Sequence, residues 1–239
     1  MAAVNLGSVT TTGDYLKLVN LGTEYTQEMK EDISSGAFNI CKVGCYLTLN
    51  DTKYIFAHPD YWFNKGATKC TTHHMVVVPE SSLTTGKMAS ASATAYTSSY
   101  MYSTTIPNTI VPKIKTDFGT NNILSFPENL VSSVSSSGYA SASTDTTVQA
   151  VIPSQIMIFG NMLYVANITT FQYGYGAGID TTQLQLFAQR PDLIPLRSKY
   201  WLRDIYNSSY YTAVYSSGIV TTQSYSTTSI GVRPVFAIC

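Results

Sequence analysis

The spacing of apolar residues changes period along the chain, and each change marks an element. Tyr25, Met29 and Ile33 recur at i, i+4 and i+8, one stripe of a short amphipathic helix that ends at Ser34-Ser35-Gly36. Residues 1–35 are expected to form an N-terminal arm or attachment segment; the alternative makes them the first strand and helix of the main domain, residues 36–239. From Phe38 the pattern turns to strands: FNICKVGCYLTL, a turn at Asn50-Asp51, KYIFAH, and HHMVVV ended by Pro79. A low-complexity loop, TTGKMASASATA, lies between Leu83 and Ala95. A helix is predicted over residues 98–118, interrupted near Pro107 and Pro112 and closed by Gly119.

Pro127 sits where a first helical turn would begin, so ENLVSSVS is predicted as a further short helix, followed by a polar loop, SSSGYASASTDTT. VQAVIP reads as a strand, PSQIMIFG and TTQLQLFAQ as short helices, and FQYGYGAGID as a glycine-rich loop between those helices. Beyond Pro195 strands return in KYWLRDI, YYTAVYSS, IVTTQSY and GVRPVFAI. The order is strands, helices, strands, with apolar first and last strands. The predicted class is α+β, with N- and C-terminal strands paired in one sheet.

Composition sharpens this picture. Hydrophobic residues make up 44% of the 239, enough for a real core, while charged residues are only 12%, about half the usual share. Formal net charge is zero, so nothing electrostatic favours nucleic acid or an anionic membrane as partner. No window reaches the ~18 apolar residues of a membrane span. Met1 to Gly22 lacks a basic start followed by an apolar run, so the protein is expected to be made and kept in the cytoplasm, or released by a route other than secretion. Ser, Thr and 18 Tyr replace the missing charge, a surface that tolerates close packing in an assembly.

Candidate chemistry is sparse. Cys41, Cys45, Cys70, His73 and His74 have a superficial zinc-site spacing, but Cys41 and Cys45 fall in a strand-like run, too far apart to chelate one ion. Core thiols are the preferred reading, with no metal and no cofactor expected. His58-Pro59-Asp60 could pair a base with a carboxylate, although X-Pro more often marks a turn, and no G-x-S-x-G elbow is present. The carboxylates Asp60, Glu80, Asp117, Glu128, Asp145, Asp180 and Asp204 show no paired spacing. Gly174, Gly176 and Gly178 lack the lysine and capped helix of a phosphate loop. The sequons at Asn50, Asn167 and Asn207 carry no weight without a secretory route. No catalytic residue is assigned.

The distinctive stretch is IYNSSYYTAVYSSG, because no charged side chain occurs between Asp204 and Arg233. Tyrosine offers large contact area with few rotors, and Ser, Asn and Thr offer adaptable hydrogen bonds, the composition of binding loops. An exposed sheet face or assembly contact is the competing reading. Arg203 and Arg233, each in an apolar run, are expected to make internal bonds to carboxylates or carbonyls.

YWLRD, the variable Ser/Tyr stretch with VYSSG, and GVRPVFAIC resemble the C-terminal signature of a phage and Firmicutes domain family of unassigned function. THHMVVVPESSL, KMASASATAYTSSYM, TIVPKIKTDFGTNNIL, VIPSQIMIFGN and QLQLFAQRPDLI fit the same family. That family is similar to the C-type-lectin-like phage variable adhesins. The resemblance implies a C-type-lectin-like α+β domain with helices between the paired terminal strands and a loop-rich C-terminal binding face. It implies a bacteriophage virion surface protein: a receptor-binding adhesin at a tail fibre or baseplate, or a head decoration. The host ligand is expected to be a bacterial surface saccharide or protein. The expected contact residues are Tyr206, Asn207, Tyr210, Tyr211, Tyr215, Gln223 and Tyr225, with Trp201, Arg203 and Arg233 as scaffold. Other capsid or tail proteins and further copies of the chain are the expected partners, and a purely structural capsid or tail role is the alternative. No run of acidic residues resembles a lectin calcium site. A formylglycine-generating type of enzyme would need a reactive cysteine pair near the C-terminus, where Cys239 is alone.

Overall fold

The computed structural model describes residues 16–136, 138–163 and 182–239. The glycine-rich FQYGYGAGID, Asn167 and Asp180 therefore lie outside the described residues. The chain is α+β, dominated by sheet, with few helices. Its first half holds β1 (Val19–Asn20), α1 (Gln27–Ser34), β2 (Cys45–Leu49), β3 (Thr52–Pro59), β4 (Met75–Pro79) and β5 (Thr84–Thr85). A helical rod from Met101 leads into α2 (Val111–Phe118), and β6 (Phe126–Val134), β7 (Ala140–Val148) and β8 (Ala150–Val151) follow. After α3 (Gln155–Phe159) and α4 (Gln185–Gln189) come β9 (Tyr200–Asn207), β10 (Tyr210–Val214), β11 (Val220–Ser224), β12 (Gly231–Val232) and β13 (Val235–Ile238).

A six-stranded sheet has the order β1-β2-β3-β4-β13-β8, and a five-stranded sheet the order β11-β10-β9-β12-β5. The early strands and the last strand thus share one sheet, with β13 antiparallel to β4. β4 and β13 are buried along their whole length, which explains the unbroken apolar runs MVVVP and VFAI. One contiguous hydrophobic cluster includes residues of both sheets, α1 and α2.

Among the places where the chain changes sheets are two that lie close together, from β4 to β5 and then from β12 to β13. Arg233 sits at the second change. Its Nε donates to the Pro79 carbonyl at 2.9 Å and its Nη1 to the Leu193 carbonyl at 2.9 Å, while its guanidinium lies between the rings of Phe187 and Tyr200. One buried cation therefore ties the two crossings to each other, and burial lowers its pKa.

Residues 16–35 enter this body. β1 pairs in parallel with β2, and Tyr25, Met29 and Ile33 are all in the core. The packing of these residues matches the first-strand-and-helix reading of the segment and corrects the arm reading from residue 16 onward. Residues 1–15 lie outside the described residues.

Three further expectations need correction. Residues 38–44 are not strand: they wrap the buried Asp32, whose carboxylate accepts the backbone N–H groups of Asn39, Ile40 and Cys41. The Pro107 interruption is absent. Met101–Ile110 is a wide helical stretch that runs straight into α2, and the Val111 N–H bonds back to Ile106. The wider i→i+5 turn leaves room for the proline ring, which in a regular α-helix clashes with the carbonyl four residues back. The predicted helix at ENLVSSVS and the polar loop after it are together a hairpin, β6 with β7. Phe126, Glu128 and Leu130 point inward while their neighbours are partly exposed, which is a period of two. Pro127 is tolerated because a two-stranded hairpin leaves both outer edges free of ladder bonds.

Candidate ligand-binding face

The uncharged C-terminal stretch folds as three adjacent antiparallel strands, and their register sorts its side chains into rows. Tyr210 lies opposite Asn207 on one side and Ser224 on the other. The next row is Ile205, Tyr211 and Gln223, and at the far end Tyr200, Val214 and Val220 align. β9 is buried from Tyr200 to Arg203 and half-buried from Asp204 on, so the strand leaves the core as it approaches the Asn207 turn. In that turn the Asn207 side-chain oxygen accepts the Ser209 N–H at 2.9 Å.

The low-complexity segment 84–95 is a strap across these strands. Trp201 Nε1 donates to the Gly86 carbonyl at 2.7 Å, and the Tyr225 carbonyl accepts the N–H groups of Met88 and Ala89. Ala93 donates its N–H to the Ser208 carbonyl at 2.7 Å, and the Tyr211 hydroxyl donates to the Thr94 carbonyl. The tip of the β6–β7 hairpin closes on the same turn. A Cβ on Gly138 would fall 2.0 Å from the Ser208 nitrogen, so only glycine allows this approach. The Asn207–Tyr210 turn is thus held by two segments far away in sequence.

Further back along β9 lies a buried polar lock. Arg203 Nη2 and Glu128 Oε1 are 3.1 Å apart, and Glu128 Oε2 accepts the Trp62 indole N–H at 3.2 Å. Trp62 stacks on Phe126 with centroids 3.7 Å apart and on His74. This lock joins β9 to the root of the hairpin whose tip supports the turn.

The expected contact residues do not form one patch. Tyr206, Asn207, Gln223 and Tyr225 are half-buried at or near the Asn207 end, and Tyr210 there is 43% exposed. Tyr211 is a correction: its ring is 2% exposed and its hydroxyl is consumed by Thr94, so it is framework and not a contact. Burial raises its pKa strongly. Tyr215 is a second correction of placement. It is exposed, but it begins the β10–β11 turn at the opposite end of the strands, under the Lys199 ammonium at 4.5 Å. Five residue steps along the strand separate it from Tyr210, roughly 17 Å. Of the expected scaffold, Trp201, Arg203 and Arg233 are all buried with internal partners.

The other chemistry resolves into structural roles. The thiols of Cys41, Cys45 and Cys70 are buried, and burial pushes Cys41 up to about 12 and raises the other two. His74 Nε2 accepts the Trp62 backbone N–H while Nδ1 donates to the Thr72 carbonyl, a neutral imidazole whose pKa burial lowers. His58 Nδ1 accepts the Gln185 N–H, and burial pushes its pKa down to about 4. Asp60 turns away from His58 and engages the His73 ring at 2.7 Å and the His74 N–H at 2.9 Å. Among the described residues no three of His, Cys, Asp and Glu group as metal ligands. Glu80 pairs with Lys53, Asp145 with Asn129, and Asp204 with the Gln155 N–H. Asp117 accepts from Lys113, Tyr54 and Asn50 at the wall of a cavity of about 260 Å³, which none of the face residues lines.

Sequence reasoning missed the strap and Gly138. Gly86, Ala93 and Thr94 sit in a run whose low complexity signals only a loop, since their bonds come from the backbone. The glycine in SSSGYA was the one available signal for the hairpin tip. No helix among the described residues is long and apolar enough to cross a membrane. Compared with family models, curated proteins and solved structures, the chain has no significant match.

Proposed function

We propose that this chain is a non-enzymatic bacteriophage virion surface protein that binds a bacterial surface ligand, saccharide or protein, through the Asn207–Tyr210 end of its C-terminal strands. The observation that carries the reading is the row Asn207, Tyr210 and Ser224, three uncharged hydrogen-bonding residues side by side where the Asn207–Tyr210 turn is braced by Ala93 and Gly138. A braced turn loses little entropy on binding, and an exposed phenol with flanking amide and hydroxyls contacts neutral ligands without desolvating charge. The mixed architecture, with its last strand inside the sheet of the early strands, fits the C-type-lectin-like domain included in this proposal. The host cytoplasm as site of synthesis and the virion surface as destination belong to it too.

A structural capsid or tail role is the second reading, favoured by Ile219, 65% exposed beside the exposed Tyr215. The two separate in phage carrying Tyr210→Ala. The first reading expects normal particle yield with reduced adsorption to host cells. Normal adsorption with defective particles supports the second and defeats the first.

A further inference from the structure

Among the described residues the sheets have six outer edges, and five are protected. β1, β5 and β8 are two residues long, too short to template another strand. β6 carries Pro127 and register shifts near its end, and β7 carries the exposed Asp145. β11 is different: Val220-Thr221-Thr222-Gln223-Ser224 has no charge, no proline and an unbroken register with β10. Among the described residues no strand pairs with its outer side. Such an edge presents a row of backbone donors and acceptors with nothing to repel a further strand.

We infer that β11 pairs with β11 of a second copy, antiparallel about a twofold axis at Thr222, joining two five-stranded sheets into one. The occupant follows from the residues. An isologous ladder sets each residue against its mirror position, so a charged edge would meet its own charge, and this edge has none. The axis sets Thr222 on Thr222, Thr221 on Gln223 and Val220 on Ser224, combinations of β-branched and hydroxyl residues that suit cross-strand contact. One step beyond the ladder, in the flanking turns, Ile219 of one copy comes level with Tyr225 of the other, whose carbonyl is already taken by the Met88 and Ala89 N–H groups. Among the described residues the most exposed large apolar side chain is thereby brought towards a half-buried ring.

The same axis reunites the divided tyrosine set. Tyr215 lies beside Ile219 in one copy and Tyr210 follows Ser209 in the other, so they end on one edge of the joined sheet. They stand about three strand spacings apart, roughly 15 Å. Each ligand face is then flanked by the other copy's β10–β11 turn. This inference stands on the open edge and goes beyond the ligand reading; it can fail while ligand binding survives.

Light scattering on the purified full chain tests it, with circular dichroism confirming the fold of each variant. The wild type is expected at twice the chain mass, and Thr222→Lys and Thr222→Glu each at one chain mass. Mixing those two variants is expected to restore the double mass, and Val19→Lys, on the exposed edge of the other sheet, to leave it unchanged. A wild type at single mass, a folded Thr222 variant that keeps the double mass, a mixture that stays single, or loss of the dimer in Val19→Lys overturns the inference.

Discussion

Gly138 and Ser208 touch backbone to backbone, although seventy positions of chain separate them. The hairpin β6–β7 reaches the turn that carries Asn207 and Tyr210 only because residue 138 has no Cβ. Its φ of +81° adds a conformational reason for glycine. Gly138→Ala is expected to cost about 1–3 kcal/mol of stability through the left-handed backbone and the clash. The turn would also be freed from one of its two braces. Chemical denaturation checks the first effect, and faster amide hydrogen exchange at Ser208–Tyr210 checks the second.

The Arg203–Glu128 pair makes the opposite kind of prediction, because its charges are far from solvent. Removing one partner leaves the other buried without its counter-charge, so Glu128→Gln and Arg203→Met are each expected to lose about 3–5 kcal/mol. The double variant is expected to lose less than the sum of the two, since no lone charge remains. Unfolding free energies for the four proteins of this cycle give the coupling directly.

Adjacent tyrosines are expected to part company. Tyr211→Phe removes a buried hydroxyl and leaves the Thr94 carbonyl unpaired, a cost of about 1–3 kcal/mol. Tyr210→Ala removes a half-exposed ring and is expected to change stability by no more than about 0.5 kcal/mol. Thermal denaturation distinguishes the two, and equal losses would contradict their assignment to framework and face.

His58 gives the fold a pH dependence. Burial, the main cause, holds it neutral in the folded protein down to about 4, against the ordinary imidazole value of 6.5. Between those values the unfolded chain binds a proton that the folded chain refuses, so stability is present in full above 6.5 and declines as the pH falls towards 4. Protonation would also place a second donor against the Gln185 N–H. His58→Gln keeps an acceptor and removes the titration, so its unfolding free energy is expected to fall less steeply than that of the wild type over this window.

Strands with apolar runs were legible in the sequence, as MVVVP, YWLRD and VFAI show, since burial on both faces leaves few other readings. The α1 stripe of Tyr25, Met29 and Ile33 was equally plain. The hairpin was not, because Pro127 is as good a sign of a helix start as of an edge strand, and Ser/Thr-rich β7 offers no apolar alternation. What decides there is Phe126 stacking on Trp62, a contact across more than sixty positions. The face was half legible. Its lack of charge marked out β9 to β11 as the candidate, but composition could not tell Tyr211 from Tyr210, since a bulged ladder sets which ring turns inward. The separation of Tyr215 from the others likewise depends on strand direction and not on spacing.

The central claim is that an uncharged row at the Asn207–Tyr210 turn binds the surface of a bacterial cell. Saturable binding of the labelled, purified chain to intact host cells tests it most directly, comparing the wild type with Tyr210→Ala of equal thermal stability. The account predicts saturable binding by the wild type and an affinity loss on the order of tenfold in the variant, about 1.4 kcal/mol. Wild-type binding that never saturates, or equal affinity in a folded Tyr210→Ala protein, would contradict it.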